Sequence, residues 1–238
     1  MRRRVILLAL AVAPPAFAAL ALPAPAGAHS LPDVEGRLHD RERFFQPLEA
    51  RPAPDFALQD AEGRPVRLAD LRGKVVVLHF VYASCPDVCP LHAELIARVQ
   101  GMVNLTPMRD QVRFVTVTTD PERDTPEVLR GYGEARGLDP ANWTFLTSGA
   151  ARPEEGRRLA EAYGLRFVPT PEGMQMHAVV THVVDREGRL RAKFHGLDFD
   201  PTNLVVYLNA LTHDEEGGGH VPPPRPAPGV WERLRGLF

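Results

Sequence analysis

Apolar residues along the chain follow two alternating periods. From Ala53 onward, Phe56 and Leu58 alternate with polar neighbours. Asp60-Ala61-Glu62-Gly63 then turns, and Val66 and Leu68 resume the alternation, which predicts a β-hairpin. Val75–Val81, following Gly73, is an almost unbroken β-branched run, the pattern of a strand buried on both faces. Helical spacing takes over at residues 92–103, with Leu95, Ile96 and Val99 on one side. Residues 112–117 predict a second buried strand. Thr125, Pro126 and Glu127 then supply the cap, first position and first turn of a helix. Trp143–Leu146 predicts a short strand, and residues 154–163 a helix stopped by Gly164. Residues 179–184 and 190–194 flank the turn Asp185-Arg186-Glu187-Gly188, and residues 204–211 form a last helix begun by Asp200-Pro201. This succession predicts an α/β fold, a central mixed sheet flanked by helices with an N-terminal hairpin extension.

The ends of the chain have a different character. Arg2, Arg3 and Arg4 precede an apolar stretch at residues 5–13, and Ala26-Gly27-Ala28 is a cleavage-like site, so residues 1–28 read as an export signal. Pro14 and Pro15 interrupt the apolar run, which makes an uncleaved membrane anchor the poorer alternative. Residues 29–50 are polar and mixed, and are expected as an exposed lead-in. The folded domain is expected at 51–213. A Gly/Pro-rich tail follows at 214–238, with Pro222-Pro223-Pro224 and a terminal Trp231-to-Phe238 stretch.

Composition adds little beyond exclusion. Of the 238 residues, 44% are hydrophobic and 24% charged, ordinary for a globular domain of this length. The formal net charge of −2, with no basic stripe, argues against nucleic-acid binding.

The cysteine count carries more. There are only two, Cys85 and Cys89, and the export signal places them in an oxidising compartment, the periplasm in a bacterium. A bridge across three intervening residues restricts the unfolded chain little, so a structural disulfide explains the pair poorly. The pair lies where a buried strand runs out into a helix, and the free N–H groups and positive dipole there stabilise a thiolate. Three uses remain open: a redox disulfide, a metal site, or both in turn. Soft thiolates favour Cu(I) or zinc, and an added imidazole also admits Cu(II). Of the nine histidines, His29 and His39 precede the expected domain, and His213 and His220 lie at its far end. His79 is expected in the core, and His92 is expected to face outward from a first helical turn. His182 and His195 sit in or after the hairpin strands. His177 stands apart, just before the 179–184 strand, after a segment containing Pro169, Met174 and Met176.

The stretch Cys85-Pro86-Asp87-Val88-Cys89-Pro90 resembles the Cys-Pro-x-x-Cys-Pro signature of the Sco/SenC copper proteins. Asp120-Pro121-Glu122-Arg123-Asp124-Thr125-Pro126 is similar to that family's Asp-Pro-x-Arg-Asp-Thr-Pro stretch, and Asn142-Trp143 matches a further position. His177, eight residues before Asp185, falls where the family's ligand histidine lies. The resemblance spans about residues 52–213. It implies a thioredoxin fold binding one copper ion, Cu(I) or Cu(II), through Cys85, Cys89 and His177. It also implies a role in building the binuclear copper site of cytochrome c oxidase, by metal delivery or by reduction of that site's cysteines. The implied partners are the copper-site subunit of the oxidase and other periplasmic copper chaperones. In a thioredoxin-like sheet, a loop leading into the 179–184 strand overhangs the cysteines.

Three departures stand out. Met176 precedes the histidine where the family usually has Asp, and His182 occupies a position where an aromatic residue is common. Val180 stands where thioredoxin-like reductases carry their substrate-facing proline, which favours metal binding over general thiol exchange. A metal-free thiol-disulfide oxidoreductase or thiol peroxidase, and a copper or redox sensor, are the alternatives. Asp120, Arg123 and Asp124 read either as a capping cluster with an ion pair or as part of a docking face.

Overall fold

The structure, a computed structural model, describes residues 30–169, 175–176 and 178–214. The expected export signal, Met174, His177 and residues 215–238 of the expected tail lie outside the described residues. In chain order the elements are α1 (Leu31–Arg41), β1 (Phe45–Pro52), β2 (Ala57–Gln59), β3 (Pro65–Arg67), β4 (Val75–Val81), α2 (Val88–Asn104), β5 (Val112–Thr118) and α3 (Pro126–Glu134). They continue with β6 (Trp143–Leu146), α4 (Pro153–Ala162), β7 (Val168–Pro169), β8 (Gln175–Met176), β9 (Val180–Val184), β10 (Arg189–His195) and α5 (Pro201–His213).

Six strands form one sheet in the order β1-β10-β9-β4-β5-β6. β4, β5 and β6 run parallel, while β9, β10 and β1 continue the sheet antiparallel. The all-apolar or β-branched character of most of β4 follows from its central place, since every residue of the strand is buried. Alternate residues serve two cores. Val75, Val77 and Val81 face α1, α2, α3 and α5, whereas Val76, Leu78 and Phe80 face α4 and the β2–β3 hairpin. The predicted hairpin extension, central mixed sheet and flanking helices are all present.

The predicted lead-in at 29–50 is corrected by the structure. Ser30 caps α1 by accepting the Asp33 N–H, and Leu31, Val34 and Leu38 are buried against α5. Phe45 begins β1, which covers the edge of β10. Polar residues between the apolar positions of α1 mask the helical period in the sequence.

The β9–β10 turn is set by its own side chains. Asp185 Oδ1 accepts the backbone N–H of Glu187 at 3.1 Å and of Arg189 at 2.8 Å. Gly188 completes the turn at φ +72°, where a Cβ would also meet the Arg72 guanidinium.

Candidate metal centre

Past Val81 the chain leaves the sheet and turns before α2 begins. The Cys85 N–H donates to the Tyr82 carbonyl at 3.1 Å, which makes the turn tight. Two contacts tie it to the end of β5: Thr119 N–H donates to Val81 O at 2.9 Å, and Ala83 N–H donates to Asp124 Oδ2 at 3.0 Å. The same Asp124 oxygen accepts a short bond from the Thr118 hydroxyl. Asp124 is buried, and burial raises its carboxyl pKa above the ordinary value. The Thr118 and Ala83 donors oppose that rise, and the nearby Asp120 charge adds to it.

Cys85 and Cys89 are free thiols, 6% and 3% exposed. Cys89 is the second residue of α2, and its carbonyl accepts the Tyr132 hydroxyl at 3.0 Å. Burial pushes the Cys85 thiol up, but hydrogen bonds outweigh it and hold its pKa below the ordinary value. The donors are the backbone N–H groups of Asp87 and Cys89, in the first turn of α2, then the Cys89 thiol and the Tyr82 hydroxyl. Burial pushes the Cys89 thiol far above its ordinary value. The Tyr82 N–H opposes that rise, while Cys85 and Asp124 add to it. Tyr82 is itself pushed up to about 12, by burial and by its bond to Cys85.

The two thiols therefore sit near enough at a helix N-terminus to shift one another, Cys85 favouring the thiolate and Cys89 the thiol. Such a pair can close into a disulfide or present two soft donors to one ion, so the donor set fits copper. Among the described residues, no group of three histidine, cysteine or carboxylate side chains is gathered to hold a metal. A third protein ligand must come from elsewhere, and His177 lies outside the described residues.

Of the remaining described histidines, His39 is exposed in the last turn of α1. His79 is fully buried as expected. His92, expected to face outward, is 1% exposed. The reason is that α2 starts at Val88, which places His92 in the buried stripe with Cys89, Ala93 and Ile96. His182 is buried on the opposite face, with its ring edge-on to Phe80 and Tyr163. His195 Nε2 lies 2.8 Å from Gln46 Oε1, and His213 ends α5.

Asp120 and Arg123 form the expected ion pair, Arg123 Nε donating to Asp120 Oδ2 at 2.6 Å. Asp124 does not cap α3; it clamps the cysteine turn. Thr125 occupies the N-cap position without a side-chain bond to a backbone N–H, and the Glu127 carboxyl is held below its ordinary value by its own N–H and then by the Thr125 hydroxyl. Tyr82, Asp124 and Tyr132 are thus site residues that local pattern did not single out for the thiols. Only the proximity of Tyr82 to Cys85 in the chain signalled one of them.

The chain matches the sequence profile of the SCO1/SenC family over residues 46–212. A protein of Stutzerimonas stutzeri, described by its name as copper-binding, is 31% identical over 72% of this chain and 74% of its own. The copper-bound structure of Bradyrhizobium japonicum ScoI superposes with a TM-score of 0.52 at 28% identity, over 68% of this chain and 99% of that one. BsSco, a member of the Sco family of cytochrome c oxidase assembly proteins in which a disulfide switch was identified, superposes with a TM-score of 0.61 over 71% of this chain and 96% of its own. At 23% identity, that match speaks for the fold alone, a thioredoxin-like one.

Proposed function

The chain belongs to the SCO1/SenC family, and from that premise we propose that it is an exported copper carrier assisting assembly of the binuclear copper site of cytochrome c oxidase. The observation that carries this reading is the pair of free, buried thiols gathered at the start of α2. Cys85, Cys89 and His177 hold one copper ion in this reading, and copper, as Cu(I) or Cu(II), is the cargo. The donor types support it: two thiolates suit Cu(I), and an imidazole makes Cu(II) acceptable. The export signal read from residues 1–28 supports a periplasmic location, with membrane association only where that segment stays uncleaved. The partners are the copper-site subunit of the oxidase and other periplasmic copper chaperones.

The residues divide the work. The first turn of α2 and the Tyr82 hydroxyl stabilise charge on Cys85 sulfur. Asp124 holds the turn that carries Cys85, and Tyr132 holds the carbonyl of Cys89. Two free thiols, one with its pKa held low, also support thiol reduction by the same site. One thiolate attacks a partner disulfide and displaces a partner thiolate. The second cysteine then releases the other partner sulfur, leaving Cys85–Cys89 oxidised by two electrons and the partner reduced by two.

Titration of the reduced protein with Cu(I) and with Cu(II) tests the reading. One equivalent of each should bind, and Cu(II) should give a thiolate-to-copper charge-transfer band. Absence of tight binding, or binding indifferent to His177→Ala, overturns it.

A further inference from the structure

Beneath the first turn of α2 lies a polar patch that the thiol chemistry leaves unused. His92 follows Cys89 by three residues and shares its face of the helix. Its Nε2 lies 2.8 Å from Thr181 Oγ1 of β9, and both residues are buried. Thr181 pairs across the sheet with His79, whose ring lies 4.7 Å from that of His92. His79 Nε2 in turn lies 3.2 Å from Thr116 Oγ1, which accepts the Trp143 indole N–H at 2.9 Å. A continuous chain of polar side chains thus runs from the cysteine helix across four strands of the sheet.

Elsewhere on the α2 underside Ala93, Ile96 and Val99 are fully buried, while the Cys89 carbonyl and Gln100 are hydrogen-bonded to Tyr132 of α3 and to Asn142, away from β9. An apolar stripe chooses which face of a helix turns inward, but its contacts are non-directional and leave the finer rotation about the axis loosely set. A buried hydrogen bond is directional and does set it. The His92–Thr181 bond is therefore suited to fixing how the first turn of α2, and with it Cys89, faces the start of β9. The chain reaches β9 at Val180, three residues after His177.

We propose that the His92–Thr181 bridge is a positioning device of the metal centre, holding Cys89 in register with the strand that follows His177. This inference rests on the copper-site reading above. The bridge touches no ligand atom and acts on ligand geometry alone. Its effect falls on Cu(II), which uses the imidazole, more than on Cu(I), which two thiolates satisfy.

The test uses the full reduced chain. Cu(I) and Cu(II) affinities are measured by competition, with the Cu(II) charge-transfer spectrum, for wild type, Thr181→Val and Thr181→Ser. Thr181→Val should weaken Cu(II) about tenfold or more, the usual scale for supports of metal ligands, and shift the band. Cu(I) affinity should hold, and Thr181→Ser should restore both Cu(II) readouts. In a double variant with His177→Ala, the Cu(II) effects should be less than additive. Should Thr181→Val fail to fold, His92→Gln replaces it, and an amide that still meets Thr181 should keep the band closer to wild type than His92→Leu. Wild-type Cu(II) affinity and spectrum in Thr181→Val, equal behaviour of His92→Gln and His92→Leu, or strict additivity with His177→Ala overturns the bridge while leaving the copper site standing. Failure of wild type to bind copper overturns both.

Discussion

Two of the polar clusters buried among the described residues solve the same problem differently. One is charged. Arg191 of β10, 1% exposed, meets Glu35 of α1 at 3.4 Å and Asp185 of the β9–β10 turn at 3.4 Å. Tyr207 of α5 donates to Glu35 at 3.0 Å. Val184 beside this turn pairs with Val76, at the start of β4, whereas the cysteines leave the far end of that strand. The other cluster holds no carboxylate, lysine or arginine: His79, His92, Thr116, Thr181 and Trp143 under the cysteine helix, with His182 on the sheet's other face.

Burial keeps His79 uncharged, lowering its pKa to about 3, and His182 adds to the effect. Burial likewise lowers His182 to about 3, with Lys193 contributing next. The Tyr163 and Leu78 carbonyls lie close enough to His182 to oppose this slightly, without forming well-aligned hydrogen bonds. The charged cluster ties α1, β10 and α5 to one another and to the β9–β10 turn through buried charge, so it is a lock. The neutral cluster uses single bonds, each cheap to alter, beside the site where geometry has to be adjusted.

The sharpest way to break this contrast is Arg191→Met. Removing the cation leaves Glu35 and Asp185 buried without it, and stability should fall by about 3–5 kcal/mol. Denaturant unfolding of the apo protein measures it, with copper affinity of the surviving folded fraction unchanged. A loss below about 1 kcal/mol, on the scale of an exposed pair, would remove the distinction between the clusters.

Acid should find the neutral cluster next. His79 and His182 bind a proton in the unfolded chain near pH 6.5 but in the folded chain only near 3, so between those values the unfolded state holds more protons. Stability contributed by the neutral rings is complete above pH 6.5 and is lost as pH falls toward 3. The expected loss is on the order of 2 kcal/mol per histidine from pH 7 to pH 5. His182→Phe should lower the proton uptake of unfolding by one over this range, and an unchanged pH slope would refute the assignment.

Smaller effects separate site from scaffold. Asp124→Ala strands the Ala83 N–H and the Thr118 hydroxyl and should cost about 1–3 kcal/mol, with weaker copper binding because the Cys85 turn loosens. Calorimetry and copper competition together would show a structural role alone if affinity stayed at the wild-type level. Trp143→Phe removes only the indole bond to Thr116 and should cost about 1 kcal/mol by thermal unfolding.

How far these clusters were legible beforehand differs between them. The β4 run, the β9–β10 turn and the α5 start were readable because each depends on neighbours in the chain: β-branched continuity, an Asp-to-Gly turn, an Asp-Pro cap. Asp200 indeed accepts the Thr202 N–H at 2.8 Å. Helix α1 was missed because its apolar positions are sparse and its buried Glu35 looks like a surface residue until Arg191 is placed beside it. His92 was turned the wrong way because α2 begins four residues earlier than its apolar period suggests. The cysteine pair was the plainest part of the site, two residues close in the chain on a strand-to-helix junction.

The types of β2–β6, α2–α5, β9 and β10, the central place of β4 and the three possible uses of the cysteine pair are readable from the chain alone. All of these rest on local periodicity and on residue types within a few positions of one another. Only the tertiary structure decided that Asp124 clamps the turn of Cys85, that Tyr132 holds Cys89, and that His92 meets Thr181. Those partners lie 41, 43 and 89 residues apart. A side chain's face follows from the period of its own element, but the atom it meets there depends on strand order and register, which are set by the packing of the whole sheet.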